Sequence, residues 1–174
     1  MELIRALVVY TTPRTAEQRL TLEIVKKILK KHKISHIPAN RDKLSEKQFK
    51  GKDMVIAVGG DGTFLRAAHF IGNQLILGVN ADVKSKEGFF MKADRNNFEK
   101  KFKKIMNKKF KIGRLPRLEA CINNKKIETF ALNEFFIGAR KSYHAAKYVI
   151  QVGSKKERQK SSGILVTTPT GSYA

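Results

Sequence analysis

Asp53-Met54-Val55-Ile56-Ala57-Val58-Gly59-Gly60-Asp61-Gly62-Thr63 decides how the rest of the chain is read. From Met54 to Val58 every residue is apolar, with no polar alternation, which is how a strand buried on both faces reads. The strand runs directly into Gly59, Gly60 and Gly62, three glycines in four positions. Such a backbone can turn sharply and approach a bulky anion closely. A helix over 64–71 follows, and the free amides and dipole at a helix start favour phosphate. Asp61 is the odd residue, because phosphate repels a carboxylate unless that carboxylate binds metal or accepts a proton. Phosphoryl transfer to a hydroxyl needs such an acceptor at the attacking oxygen. The plainer alternative is a glycine-rich turn whose aspartate caps the helix.

Outward from this stretch, strand-like and helical patterns alternate. Leu3–Tyr10 is aliphatic and β-branched, and Thr15-Ala16-Glu17-Gln18 has the Thr-x-x-Gln form of a capping box. Leu20, Ile24, Ile28 and Leu29 recur at helical spacing until Lys30-Lys31-His32-Lys33 closes the helix with cations. Ile34–Pro38 and Leu75–Val79 read as further strands. Phe98, Phe102, Ile105, Met106 and Phe110 form one stripe of a helix over 95–109, with lysines on its other face. Strand–helix alternation predicts an α/β fold with a parallel sheet. After Gly113 the helical period does not return. Segments 117–122, 127–137, 145–152 and 163–167 are strand-like, with turns at Asn123-Asn124 and Gly153-Ser154. The expected division is a parallel-sheet α/β domain over 1–110, nucleotide-binding by its glycine turn, and the first part of a β-rich domain over 111–174. There is no internal repeat.

Composition narrows the class. The 174 residues carry 36 Lys+Arg against 15 Asp+Glu, a formal charge of +21, and 41% are hydrophobic. That hydrophobic share argues against disorder as the main state. No apolar run approaches the roughly 20 residues that span a bilayer. No secretory or transit pattern precedes Leu7, and Cys121 has no partner for a disulfide or a metal set. The expectation is a soluble cytoplasmic protein in a reducing compartment, with no membrane partner. His32, His36, His69 and His144 are too dispersed for a zinc site. The positive charge suits an anionic partner, nucleic acid included, but its scatter from Lys26 to Lys160 favours a solvated surface instead.

Gly59-Gly60-Asp61-Gly62-Thr63 resembles the GGDGT motif of the NAD kinase superfamily, which also holds phosphofructokinases and diacylglycerol and sphingosine kinases. Two further matches choose within it. Asn133-Glu134 before Phe135-Phe136-Ile137-Gly138 resembles the Asn-Glu motif of NAD kinases, and Gly163–Ser172 resembles their G-L-I-V-S-T-P-T-G-S stretch. Gly78-Val79-Asn80, Ser85-Lys86-Glu87-Gly88 and Gln159–Gly163 lean towards the mitochondrial-type branch. The resemblance implies an active site between an α/β and a β-rich domain. It implies transfer of the ATP γ-phosphoryl group to the 2′-hydroxyl of the NAD adenosine ribose, with Mg²⁺ or another divalent metal accompanying ATP. It gives Asp61 the role of general base, with Gly59, Gly60, Gly62, Thr63 and Asn80 around the nucleotide. Asn133 and Glu134 fall on residues that hold the acceptor, and Thr170, Gly171, Ser172, Tyr173 and Ala174 on the adenosine pocket. Homo-oligomers are usual in the family, and exposed strand edges favour self-association.

Read without the resemblance, the same positions stay open. An Asn-Glu pair in an apolar run is costly to bury without partners, which a ligand or a neighbouring loop could supply. Thr168–Ser172 has the composition of an ordinary turn, and Asn80 suits a strand-end cap. The chain also departs from the family pattern. Ser162 stands where many members have aspartate, the aromatic after Thr168–Ser172 is shifted to Tyr173, and members continue well beyond the position of Ala174. The chain therefore reads as C-terminally incomplete, with poor phosphate transfer expected of it alone. Polyphosphate as donor and NADH as acceptor fit the motifs as well as ATP and NAD do. A lipid or sugar kinase of the superfamily, or a basic nucleotide- or nucleic-acid-binding protein with a decayed site, are the alternatives.

Overall fold

A computed structural model describes residues 5–83, 88–141 and 143–173. Its first part is a parallel sheet with helices on both faces. The elements are β1 (Arg5–Tyr10), α1 (Ala16–Lys31), β2 (Ser35–Asn40), the short α2 (Glu46–Phe49), β3 (Met54–Gly59), α3 (Asp61–Ala68), β4 (Leu75–Asn80), β5 (Met91–Asp94) and α4 (Phe98–Met106). The five strands lie in the order β2-β1-β3-β4-β5, all parallel. The chain builds outward from β1 to β2, then returns to place β3 on the other side of β1. Ligands of open parallel sheets bind at the carboxyl ends of the strands flanking such a reversal. Gly59, the last residue of β3, sits at that end.

The continuous apolar runs are explained by burial on two faces. Ala6 and Val8 of β1 and Met54, Ile56 and Val58 of β3 pack with Leu22, Val25 and Leu29 of α1 and Phe98 and Phe102 of α4. Leu7, Val9 and Val55 point the other way, onto Phe49 of α2 and Ala67 of α3. Each large aliphatic or aromatic side chain fully removed from water contributes about 1.5–3 kcal/mol.

The expected helices form with shifted edges. In α1, Thr15 Oγ1 accepts the Gln18 amide, but Gln18 Oε1 takes the Arg14 amide, so only half of the capping box exists. Leu20 is 50% exposed, and the buried line is Leu22-Val25-Leu29, because the helix rests on the sheet along Val25 with Ile24 at the margin. The helix expected over 64–71 starts at Asp61 and ends at Ala68, with Gly60 as its extended N-cap. The helix expected over 95–109 ends at Met106. Lys108 turns the chain out with φ 56°, so Phe110 lies beyond the helical stripe and is exposed.

The chain divides after Arg114, and Leu115 opens a second compact unit. This unit is built from antiparallel pairs: β6 (Cys121–Ile122) with β7 (Lys125–Lys126), β8 (Glu134–Gly138) with β11 (Gly163–Thr167), and β9 (Ala146–Val152) with β10 (Lys155–Ser161). Asn123 and Asn124, at φ 51° and 61°, make the tight turn between β6 and β7, the geometry that matches strand twist in two-residue hairpins. The strand expected over 127–137 shrinks to Glu134–Gly138, and that over 117–122 to Cys121–Ile122 plus a Leu118–Ala131 bridge. β10, Lys-Lys-Glu-Arg-Gln-Lys-Ser, carries no apolar signature. It is a strand because seven consecutive residues pair with β9. No helix among the described residues is long and apolar enough to cross a membrane.

Candidate active site

β3 delivers Gly59 and Gly60 directly into α3. Gly60 is the extended N-cap, and its carbonyl accepts the Thr63 amide at 2.8 Å. Gly59 is glycine for a packing reason. A Cβ there would lie 2.4 Å from Thr63 Oγ1 and 2.9 Å from Thr63 Cβ, and Thr63 is fully buried. Asp61 occupies the first turn of α3, where the helix dipole favours a carboxylate. It does not cap the helix. Its two oxygens accept the backbone N–H groups of Phe89 at 2.8 Å and Phe90 at 2.9 Å, in the segment leading to β5. Phe90 is buried and its ring stacks on Phe64 of α3, with centroids 4.9 Å apart. The partly exposed Asp61 carboxylate is thus clamped on one side by backbone amides, and each oxygen retains a lone pair.

Asn80 ends β4 and pairs in register with Gly59. It is buried, and its Oδ1 accepts the Asp82 amide at 2.9 Å, so part of its polar capacity serves the turn after the strand. Two features of this region were not singled out from sequence. Arg41 follows β2 and brings Nη1 to 3.4 Å from Thr63 Oγ1, which places a cation beside the glycine turn and Gly62. The Phe89 and Phe90 amides are the other. Backbone donors leave no sequence signal beyond Gly88 before two phenylalanines. Ser85, Lys86 and Glu87 lie outside the described residues.

In the second unit the structure brings the Asn-Glu pair and the Thr168–Ser172 turn together. The Asn133 carbonyl accepts the Thr168 amide at 2.8 Å and the Thr167 hydroxyl at 3.2 Å. The Thr168 hydroxyl donates to the Leu132 carbonyl at 2.7 Å and accepts the Gly171 amide at 3.0 Å. Gly171 passes so close to the Asn133 carbonyl that a Cβ would lie 2.3 Å from its oxygen. Thr168 and Ser172 therefore spend their hydroxyls inside the turn, and Thr170 Oγ1 shares a contact with Thr168 Oγ1 at 3.0 Å. Glu134 and Tyr173 are exposed, and Ala174 lies outside the described residues. Asn133 differs from its neighbours. Its Oδ1 is buried with no hydrogen-bond partner among the described residues. A buried acceptor left unpaired costs about 1–3 kcal/mol, so a group that persists in this state is suited to a ligand donor. Ser161 Oγ is occupied by Tyr148 and Gly163, whereas Ser162 is exposed.

Among the described residues no group of three or more His, Cys, Asp or Glu side chains could hold a metal ion. A hollow of about 400 Å³ lies in the second unit between Ile137, Gly138, Tyr148 and Ile164. None of the candidate residues lines it.

Comparison with known proteins gives the family. Residues 2–110, more than half of the chain, match the ATP-NAD kinase N-terminal domain. The chain belongs to the NAD kinase family. It is 27% identical to a probable NADH kinase of Oryza sativa subsp. japonica across 95% of this chain and 57% of the relative. An NAD kinase of Bacteroides fragilis is 31% identical across 70% of this chain and 43% of its own length. A mitochondrial NADH kinase of Saccharomyces cerevisiae is 30% identical over 70% of this chain and 31% of its own. The chain thus spans about half, or less, of the length of these curated relatives.

Proposed function

We propose that the protein is an NAD kinase, transferring the γ-phosphoryl group of ATP to the 2′-hydroxyl of the NAD adenosine ribose to make NADP. The observation that carries the reading is Asp61. A carboxylate stands in the glycine turn at the carboxyl end of the parallel sheet, fixed by two backbone amides rather than used as a helix cap. In the reaction the 2′-oxygen attacks the γ-phosphorus, the bond to the ADP leaving group breaks, and Asp61 takes the hydroxyl proton. The Gly59–Thr63 turn and the start of α3 receive phosphate oxygens, with Asn80 beside them. Asn133, through its unpaired Oδ1, and Glu134 hold acceptor hydroxyls, and the turn over Thr170, Gly171, Ser172 and Tyr173 receives the adenosine. A divalent cation arrives with ATP as part of the donor.

NADH is a second acceptor reading, favoured by the relatives from rice and yeast that carry the name NADH kinase. Parallel assays with NAD and NADH decide between them. A single exposed cysteine suits a cytoplasmic setting. Exposed Phe136, Leu165 and Val152 on two-stranded sheets support self-association. Nucleic acid is not favoured, because the positive charge is scattered from Lys26 to Lys160.

The test is Asp61→Asn. The amide keeps the shape, removes the proton acceptor, and turns one donor towards the Phe89–Phe90 amides. NADP formation falls by about 10²–10⁴-fold while ATP binding, read by calorimetry, persists. Turnover within a few-fold of wild type removes Asp61 from the chemistry.

A further inference from the structure

The Asp61 clamp has requirements of its own. Phe89 and Phe90 reach the carboxylate only because the chain bends at Gly88, whose φ of +73° is one that side-chain-bearing residues rarely adopt. Space is closed there as well. A Cβ on Gly88 would lie 2.8 Å from Met91 Cγ, 2.9 Å from Met91 Cβ and 3.2 Å from Asn80 Nδ2. Two of those three contacts fall on Met91, the first residue of β5, whose amide donates to the Gly88 carbonyl at 3.1 Å. Gly88 is therefore wedged between the ends of β4 and β5. On the far side, the stack of Phe90 on Phe64 ties the same segment to α3, the helix that carries Asp61. The carboxylate therefore links the start of α3, which follows β3, to the segment that enters β5, two strands away in the same sheet.

We propose that Gly88, with the Phe89 and Phe90 amides it presents, is the positioning element for Asp61, and that it acts on turnover through that carboxylate alone. A free aspartate at a helix start samples several rotamers. Two amides, one to each oxygen, leave one, and a proton acceptor is useful only when held in reach of the attacking hydroxyl. Gly88 is a positioning residue and touches neither substrate nor the reacting atoms. The catalytic part of this inference rests on the proposed kinase reading, whereas the physical link between Gly88 and Asp61 does not.

Two measurements on the native protein separate the parts. The first needs no activity. Amide hydrogen exchange followed by NMR shows the Phe89 and Phe90 N–H groups protected in the wild type. Asp61→Ala and, independently, Gly88→Ala accelerate both by about ten-fold or more, while amides inside β3 keep their protection. Unchanged exchange at Phe89 and Phe90 in Asp61→Ala overturns the link, and this variant answers even where Gly88→Ala folds poorly. The second is a double-mutant cycle on NADP formation. Gly88→Ala lowers kcat by about ten-fold or more with KM for both nucleotides within a few-fold, and it has no further effect in the Asp61→Ala background. Independent, multiplicative losses, or a loss carried by KM, overturn positioning. An absence of NADP formation by the wild-type product of the full reading frame counts against the kinase reading and leaves the exchange result standing.

Discussion

Gly59→Ala is the sharpest probe of the strand–helix junction. The added methyl would sit 2.4 Å from Thr63 Oγ1 and 2.9 Å from Thr63 Cβ, whereas ordinary contact begins at 3.4 Å. Something must therefore give by about 1 Å (3.4 − 2.4). Turning Thr63 about χ1 moves Oγ1 but not Cβ, and Thr63 cannot retreat freely because Phe64, Ala67 and Ala68 of the same helix are buried too. Overpacking of this kind costs about 1–3 kcal/mol. With a urea m-value near 2 kcal/mol/M, the unfolding midpoint drops by roughly 0.5–1.5 M. The same shift moves Asp61 off the Phe89 and Phe90 amides and reduces turnover. Thr63→Ala removes Oγ1 and Cγ2, and by itself destabilises through the lost contacts. In combination with Gly59→Ala it removes the 2.4 Å contact with Oγ1 while the 2.9 Å contact with Cβ stays, so part of the strain is relieved and the double variant is more stable than the sum of the two single losses by about 1 kcal/mol. Urea titration followed by circular dichroism on the four proteins completes the cycle. A Gly59→Ala protein as stable as wild type, or strictly additive losses, refutes the close approach of β3 and Thr63.

Asn133→Ala removes the unpaired buried acceptor; calorimetry should show the acceptor dinucleotide weakened about ten-fold to a hundred-fold and ATP little changed, and equal losses for both would reassign the residue. Gly171→Ala pushes a methyl into the Asn133 carbonyl, so dinucleotide binding falls with it, and an unaffected Gly171→Ala protein would show that the turn does not shape the site. Glu99 is held below the usual carboxylate range, first by its hydrogen bond to Lys31 Nζ at 2.8 Å and further by the charges of Lys31 and Lys103. A carboxylate whose folded pKa is lowered adds stability above its unfolded pKa and loses it as pH falls through the folded value. Glu99→Gln is accordingly a little less stable than wild type near pH 7, and the gap between their thermal melts closes as the pH falls into the acid range where Glu99 takes up its proton; a gap that stays constant throughout counts against the ion pair.

The two halves differ in how much of their architecture can be read from residue order. Val55–Val58 and Leu7–Val9 announce strands because both faces of a parallel sheet are covered, and burial on both sides leaves no room for polar alternation. Leu20 and Phe110 mislead for the opposite reason. Periodicity marks an apolar arc, but the sheet decides which part of the arc it touches, and Lys108 ends the helical path before Phe110 is reached. β10 is invisible to pattern because its stability comes from backbone pairing with β9, which any side chain permits.

For the site, chain order alone placed Asp61 in a glycine turn between a buried strand and a helix, and resemblance to NAD kinase motifs singled out Asn133-Glu134 and Thr168–Ser172. Those are local properties: turn chemistry, apolar runs and short motifs are written in neighbouring residues. Which donors meet Asp61, that Asn133 Oδ1 is left without a partner, and that Gly171 lies against the Asn133 carbonyl were decided only by tertiary structure. The first and the last join groups 28 or more positions apart, through backbone atoms that every residue type shares or through space that no single residue defines.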